Sequence, residues 1–585
     1  MGTQGIRAAM FRPAGAPGDL HGNFSQMLQA MARAEQAGAQ VLLFSRYSLL
    51  GATAGDLAIT MQQDLCQAAR QLAEASGQCL ALFSFPLLVD GRLQPAIAGA
   101  LEGRFVGICL TEGNEKTLPG CLSQVRDAVG AQVPLAGAAL FPVPGSDLML
   151  GAGFDAQRLQ SLHTKGAQLL ALMDASPSVA GLQGFAPLLN LSHDLAVPCL
   201  YANAGPAEST TDGVYDGCCA AMHSGRLVAE LPPFSQESWL LADLPIVAEP
   251  VTPAAPPPGD HRIPYAPPEG PLRASWCREA MEIAAQGLAA RVTRIGVQTL
   301  VLGLSGGVDS AMALLTCERA LQIAGLPPYR LMAWSLPCFG TSGRTRGNAH
   351  RLMAALQLQE REIDISASVR QHFQDIGHDG RHDAAFENAQ ARERTQVLMD
   401  LSNMHQGLMV GPGDMSELAL GFTTYGGDHM SMYGVNGGLY KTALRLILKE
   451  IADTDPRPAL RETLIDILDT PISPELLPGG QEKQQTEQLL GGYELNDCIL
   501  WHLLQGHSMA HTLQALEQAF PEEGGRDALK ERMRRFIRRF FAAQFKRSCM
   551  PDGPAVLQHS LSPRTGFSMP SDASPAAWLA AIDQA

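Results

Sequence analysis

The sequence predicts an α/β protein in two halves: a layered domain with two β sheets, then a doubly wound parallel sheet with a helical tail. Three observations predict it. Up to about residue 245, short apolar runs alternate with stretches of helical periodicity. The chain then turns proline-rich, with Val-Thr-Pro-Ala-Ala-Pro-Pro-Pro-Gly-Asp followed by Ala-Pro-Pro-Glu-Gly-Pro, which excludes helix and ladder and favours a polyproline II crossing. Beyond it, the apolar run Thr299–Leu304 breaks into Ser-Gly-Gly and passes into an apolar-rich helix, as at the carboxyl end of a buried parallel strand. The expected divisions are 1–245, a linker at 246–271, and 272–585.

In the first half, strands are expected at 6–11, 40–44, 79–84, 96–101, 104–110, 147–152, 168–173, 199–203, 216–222 and 225–231. Helices are expected at 23–37, 58–76 and 156–166, with Gly38 as a stop signal for the first. The second half opens with a helix at 273–293. Strand 299–304, helix 311–324, strand 331–336, helix 345–356 and strand 362–365 follow as a βαβα run. Helix 388–405 and strand 407–410 come next, and the tail from about 442 is mostly helical.

A chain of 585 residues holds more than one domain. Its formal net charge of −15, with no long basic run, argues against a nucleic-acid-binding surface while leaving room for a local phosphate pocket. Neither a signal peptide nor an apolar stretch long enough to span a membrane is expected. Twelve cysteines are scattered, with Cys218-Cys219 the only close pair and no Cys-x-x-Cys. That pattern reads as free thiols in a cytoplasmic protein rather than zinc or disulfides. His372, His378 and His429 have no spaced ligand partners and read as solvated or packed.

The chemistry concentrates in Gly303-Leu304-Ser305-Gly306-Gly307-Val308-Asp309-Ser310. A strand, a glycine turn and a helix N-terminus aim unbonded backbone N–H groups and the positive helix end at one point. Gly306 and Gly307 let the backbone approach a phosphate closely. No Gly-Lys-Ser/Thr follows, so this is not a Walker loop, and it is not a dinucleotide Gly-x-Gly-x-x-Gly loop. Ser-Gly-Gly-x-Asp-Ser after a strand resembles the pyrophosphate loop of the N-type ATP pyrophosphatases.

Five further blocks extend the resemblance. Phe386-Glu387-Asn388-Ala389-Gln390-Ala391-Arg392-Glu393-Arg394 and Gly411-Pro412-Gly413-Asp414-Met415-Ser416-Glu417-Leu418 come first. Thr424-Tyr425-Gly426-Gly427-Asp428, Pro471-Ile472-Ser473-Pro474-Glu475-Leu476 and Phe545-Lys546-Arg547 follow in order. The second half is thereby similar to the NAD synthetases, and the closest pattern is that of the long glutamine-dependent bacterial forms. The resemblance implies an adenine nucleotide alpha hydrolase-like sheet. It also implies a reaction in which the nicotinate carboxylate of deamido-NAD attacks the α-phosphate of ATP, pyrophosphate leaves, and ammonia displaces AMP.

It implies roles too. Gly303, Ser305, Gly306, Gly307 and Ser310 cradle the ATP phosphates, with Pro412 beside them. Asp309 and Glu417 ligate Mg²⁺. Asn388, Glu417, Phe422, Thr423, Thr424, Tyr425 and Lys546 hold deamido-NAD, with Arg547 a weaker candidate. Ser305, Asp309 and Lys546 are the catalytic candidates. The strand 331–336 is expected to end beside the adenine. The family's threonine after Gly411 is replaced by Pro412, which removes a hydroxyl and an N–H. Arg532, Arg534, Arg535, Arg538 and Arg539 read as a solvated or intersubunit helix face, or alternatively as a dinucleotide-phosphate contact.

In the first half, Gly38-Ala39-Gln40-Val41-Leu42-Leu43-Phe44, Ser48-Leu49-Leu50-Gly51 and Asn203-Ala204-Gly205-Pro206-Ala207-Glu208-Ser209 resemble the nitrilase-like glutaminase domain of those enzymes, an α-β-β-α sandwich. That domain frees ammonia with a Glu–Lys–Cys triad. Here Arg46 stands where the resemblance puts Glu, Gly153 where it puts Cys, and only Lys116 loosely keeps its place. Glycine forms no thioester, and arginine takes no proton at neutral pH. Cys109 and Cys121 are the nearby thiols, and neither sits at the strand-end turn. The expectation is an NAD synthetase, homo-oligomeric, using free ammonia or ammonia from a partner. The alternatives are a non-catalytic subunit regulating an active paralogue, a ligase adenylating another carboxylic acid, or a rebuilt hydrolase site in the first half.

Overall fold

Along the first strand, β1 (Ile6–Phe11), Ala8 and Met10 face one apolar layer while Ala9 and Phe11 face another. This period of two is what a strand buried on both faces requires. The computed structural model describes residues 5–110, 138–255, 259–470 and 492–585. The chain divides into two units. The first comprises Met1–Ser178, Leu182–Ser209 and Tyr215–Pro256; the second takes Val179–Gly181, Thr210–Val214 and Pro257–Ala585.

In the first unit β2 (Val41–Phe44), β3 (Leu80–Val89), β4 (Arg92–Leu101) and β5 (Arg104–Leu110) continue from β1. β6 (Leu140–Pro142), β7 (Met149–Gly153), β8 (Leu169–Asp174), β9 (Pro198–Asn203), β10 (Cys219–His223) and β11 (Arg226–Leu231) make a second sheet. β12 (Trp239–Leu244) returns to the first. The orders are β12-β1-β2-β3-β4-β5 and β11-β10-β9-β8-β7-β6. Met10, Leu43 and Leu82 from one sheet meet Leu150, Leu170 and Leu200 from the other in one buried cluster. Helices cover the outer faces. Met27 and Met31 of Leu20–Gln36 pack on Phe44 and Phe83, and Leu159 and Leu188 cover the second sheet. This is the expected α-β-β-α sandwich.

The second unit carries four parallel strands in the order β14-β13-β15-β16: β13 (Thr299–Gly303), β14 (Leu331–Trp334), β15 (Gly407–Gly411) and β16 (Tyr433–Gly434). Helices Pro271–Ile295, Val308–Ile323, Gly343–Ala355 and Ala384–Met404 connect and flank them, and the described residues after Lys441 are largely helical. The strand expected at 331–336 stops at Trp334 as β14, residues 407–410 lie on β15, and both strands flank β13.

Some element expectations need correction. The helix expected at 58–76 breaks at Met61 into Leu57–Thr60 and Gln62–Glu74. The strand at 362–365 is a single parallel bridge, Ser335 to Glu362. The helix Ala186–Leu195 and the strands β6 and β12 come in addition.

Candidate active site

β13 ends at Gly303, and the chain turns through Gly306 into the helix Val308–Ile323. Gly306 has φ +86°, and a Cβ there would come within 2.0 Å of the Thr345 carbonyl oxygen. Glycine is therefore obligatory on both counts. The Ser305 and Ser310 hydroxyls lie 3.1 Å apart, and Ser305 Oγ accepts from the Gly307 N–H at 3.2 Å. The turn thus brings two hydroxyls and a helix N-terminus to one place, as an anion site needs.

Asp309 projects from the first turn of that helix toward Lys441, whose ammonium donates to both of its oxygens at 2.7 Å. The same ammonium lies 2.7 Å from Asp414 Oδ2 and 2.8 Å from Glu417 Oε1. Asp414 caps the short helix Met415–Leu420 by accepting from the Glu417 N–H at 2.9 Å. The carboxylate side chains differ in access: Asp414 is 0% exposed, Asp309 25% and Glu417 22%. Burial drives the Asp414 carboxyl well above its usual range and pushes Glu417 up to about 7, both against the pull of Lys441. Burial works to lower the Lys441 pKa, but the three carboxylates outweigh it and hold it well above its ordinary value.

Asn436 ties the loops together. Its Nδ2 donates to the Asp309 carbonyl at 3.0 Å and to the Pro412 carbonyl at 2.8 Å. Asp497 braces the same region from a third element, accepting from Ser416 Oγ at 2.5 Å and from the Thr442 N–H at 3.0 Å. Sequence reasoning missed Lys441, Asp414 as a charge partner, Asn436 and Asp497. One signal was available for Lys441: a lysine opening an apolar helix opposes the helix dipole, and so needs a strong anionic partner.

The block after Glu417 is knitted to the helix Ala384–Met404. Thr424 Oγ1 donates to Asn388 Oδ1 at 2.8 Å, and the Tyr425 carbonyl accepts from Arg392 at 3.2 Å. Tyr425 stacks on His429 with ring centroids 5.1 Å apart. Lys546 donates to the Gly421 carbonyl at 2.8 Å and the Thr423 carbonyl at 2.5 Å, and burial lowers its pKa. A cleft here is lined by Gly411, Gly413, Leu418, Thr423, Asp428 and His429. Thr423 Oγ1 and Asn436 Oδ1 are buried without a hydrogen-bond partner among the described residues, so unfilled polar valences remain for a ligand.

Two expectations about arginines need correction. Arg547 is wholly buried and donates to the Leu418, Ala419 and Phe540 carbonyls, so it holds the backbone and is not free for a substrate. In the basic helix, Arg532, Arg534 and Arg535 pair with Glu523, Asp583 and Glu531. Arg539 instead lies 4.3 Å over the Phe422 ring, packed on the 422–425 block rather than on a solvated face.

In the first unit, Arg46 follows β2 and Gly153 ends β7. The Arg46 guanidinium lies 4.5 Å over the Phe154 ring and 4.9 Å over the Tyr47 ring. A Cβ on Gly153 would meet Leu159 Cδ2 at 3.2 Å. Cys109 is buried, and burial raises its pKa against the opposing pull of Arg158, so it is a poor nucleophile. Lys116 and Cys121 lie outside the described residues. Among the described cysteines, all free, only Cys549 is exposed. No described helix is long and apolar enough to cross a membrane.

The NAD synthase family model matches residues 280–546. A glutamine-dependent NAD(+) synthetase of Mycobacterium leprae is 33% identical over 485 residues, covering 72% of this chain and 71% of that one. An NH(3)-dependent NAD(+) synthetase of Chlorobium phaeovibrioides is 32% identical over 225 residues, covering 38% of this chain and 74% of that one. The crystal structure of a glutamine-dependent NAD(+) synthetase from Cytophaga hutchinsonii covers 99% of this chain and 100% of its own at TM-score 0.75. At 17% identity that likeness is one of fold.

Proposed function

The chain belongs to the glutamine-dependent NAD(+) synthetase family, and from that premise we propose a ligase that makes NAD with ammonia its own first unit does not produce. NAD synthetase activity, a C–N ligation, goes with membership. The finer reading concerns which residues act and where the nitrogen comes from.

In that reading the nicotinate carboxylate of deamido-NAD attacks the α-phosphorus of ATP, and pyrophosphate leaves. Ammonia then attacks the acyl carbon, and AMP leaves. Little covalent work falls to the protein; it positions reactants and stabilises charge. The Ser305 and Ser310 hydroxyls and the backbone at Gly306 and Gly307 receive the phosphates. Gly303 keeps the strand end close, since a Cβ there would meet Leu398 Cδ1 at 2.7 Å. Asn388, Thr423, Thr424, Tyr425, Phe422 and Lys546 orient deamido-NAD. Strand β14 ends beside the adenine.

Three carboxyl groups share one ammonium, and burial holds two of them toward the neutral form, from which a bound cation would draw them back to carboxylates. The hard oxygen donors suit Mg²⁺, and the partly exposed Asp309 and Glu417 fit it better than the enclosed Asp414. When bound there, Mg²⁺ would neutralise charge on the departing pyrophosphate. Lys441 keeps the enclosed Asp414 paired throughout.

The observation that carries the ammonia reading is the pair of triad positions. Gly153 offers no thiol, and Arg46 spends its cation on Phe154 and Tyr47. A homo-oligomer, an ammonia-supplying partner and a cytoplasmic location belong to the same proposal. The test compares NAD, AMP and pyrophosphate release from ATP, Mg²⁺ and deamido-NAD with ammonium and with glutamine. Turnover with ammonium alone is expected; equal rates with glutamine would overturn the reading.

A further inference from the structure

Away from the phosphate loop, three imidazoles converge where the helix Tyr493–Leu504 turns into the helix Met509–Ala519. His502 lies in the last turn of the first helix, His507 in the connection, and His511 near the start of the second. Their ring nitrogens include a set lying within 4.8 Å of one another. His502 Nδ1 and His507 Nδ1 are 2.8 Å apart, and the His507 and His511 ring centroids 4.4 Å apart. The backbone fixes this placement. The His507 N–H donates to the His502 carbonyl at 3.1 Å, and the His511 N–H to the capping Ser508 hydroxyl at 3.2 Å.

The chemistry of the group is unusual for packing alone. Burial first, and then the neighbouring imidazoles, hold His502 down at about 4, and burial also lowers His507. A neutral imidazole carries one ring nitrogen with a lone pair that a metal ion can take. His502 is buried, His507 partly exposed and His511 exposed, so the set has a rigid inner member and two outer members free to adjust.

We propose that His502, His507 and His511 bind one first-row transition-metal ion of the zinc class, clamping the helix hairpin and leaving a coordination position open toward solvent. Imidazole nitrogens select such ions over Mg²⁺, so the site is distinct from the carboxylate cluster at Asp309. Tetrahedral zinc at about 2.0–2.1 Å from each nitrogen needs ligand atoms roughly 3.3 Å apart. The close Nδ1 pair opens by about half an ångström to accept it, a movement the outer rings absorb by rotating. If both Nδ1 atoms bind, the metal replaces their shared hydrogen bond, and the displaced proton moves to the other nitrogen of the same ring. The clamp acts on the helix that also carries Asp497, which braces Ser416 and Thr442.

The test uses the untagged full-length chain, stripped with a chelator and titrated with Co²⁺ in excess Mg²⁺, which fills the oxygen cluster. The expected result is one equivalent giving the intense visible band of low-symmetry Co²⁺, bleached by one equivalent of Zn²⁺. In a His507→Gln/His511→Gln variant that keeps its far-ultraviolet circular dichroism, the band is lost and Zn²⁺ affinity falls at least tenfold. Should that variant not fold, His511→Gln carries the comparison through its exposed ring. No band and no retained Zn²⁺ in the parent, or the same band and affinity in the variant, would overturn the site.

Discussion

The Lys441 ammonium sits 2.7 Å from both carboxylate oxygens of Asp309 while also touching Asp414 and Glu417. Removing it leaves three carboxylates facing one another, one of them 0% exposed. Lys441→Met is expected to destabilise the second unit by about 3–5 kcal/mol, the usual cost of stranding a buried charge. NAD formation should fall at least a hundredfold. Lys441→Arg does not rescue it, because a planar fork cannot point at three acceptors around one nitrogen. Urea unfolding and initial rates check both parts; a variant as stable as the parent would remove Lys441 from the centre of the site.

Asp497 gives the site a pH signature. Burial raises its carboxyl from 3.8 to about 6, against the hydrogen bonds of Ser416 and Thr442. A carboxyl raised on folding favours the folded state while protonated. That contribution is full below the unfolded value and lost as pH rises through about 6. The melting-temperature deficit of Asp497→Asn relative to the parent should therefore be largest in acid and narrow as pH climbs. A deficit that stays constant or widens would show that Asp497 carries no raised pKa.

Pro412 lies in the loop that Asn436 fastens to the Asp309 carbonyl. The neighbouring architecture is intact, so restoring threonine adds one hydroxyl and one N–H to a preformed loop. A hydrogen bond is worth about 0.5–1.5 kcal/mol net, so Pro412→Thr should lower the KM for ATP about two- to tenfold with kcat little changed. An unchanged KM would mean that residue 412 does not face the nucleotide.

Much of this arrangement was legible because its signals are local. The apolar run into Ser305-Gly306-Gly307 marks a strand, a positive-φ turn and a helix start within a dozen residues, and the short apolar run at 6–11 marks a strand. What stayed hidden depends on distance along the chain. Lys441 meets Asp309 across 132 residues, and nothing adjacent to Lys441 names its partner. The helix Ala186–Leu195 hid behind Pro187, a residue favoured in a first helical turn, and β12 hid because the exposed Asp243 interrupts its short apolar run. The expected strand at 362–365 had the right composition, but only Ser335 and Glu362 pair. Composition alone does not create a ladder. The three histidines were overlooked because they span a helix end, a turn and a helix start, so no single period unites them.

The first unit offers the last prediction, at Arg46 and Gly153, the two described positions that the proposed function assigns to the triad. Arg46 stacks over Phe154 and Tyr47, and Leu159, wholly buried, stands 3.2 Å from where a Gly153 side chain would begin. Gly153→Cys therefore overpacks the end of β7 and should cost about 1–3 kcal/mol. It should give no glutamine hydrolysis, because the guanidinium at 46 cannot act as a base for the new thiol. Adding Arg46→Glu supplies the missing carboxylate but removes cation–π contacts worth about 0.5–1 kcal/mol, so the double variant should melt lower still. Ammonium-dependent NAD formation by the second unit should survive both changes. Release of glutamate from glutamine, followed alongside the thermal melts, decides the matter: measurable hydrolysis by Gly153→Cys alone would mean that the site lacked only a nucleophile.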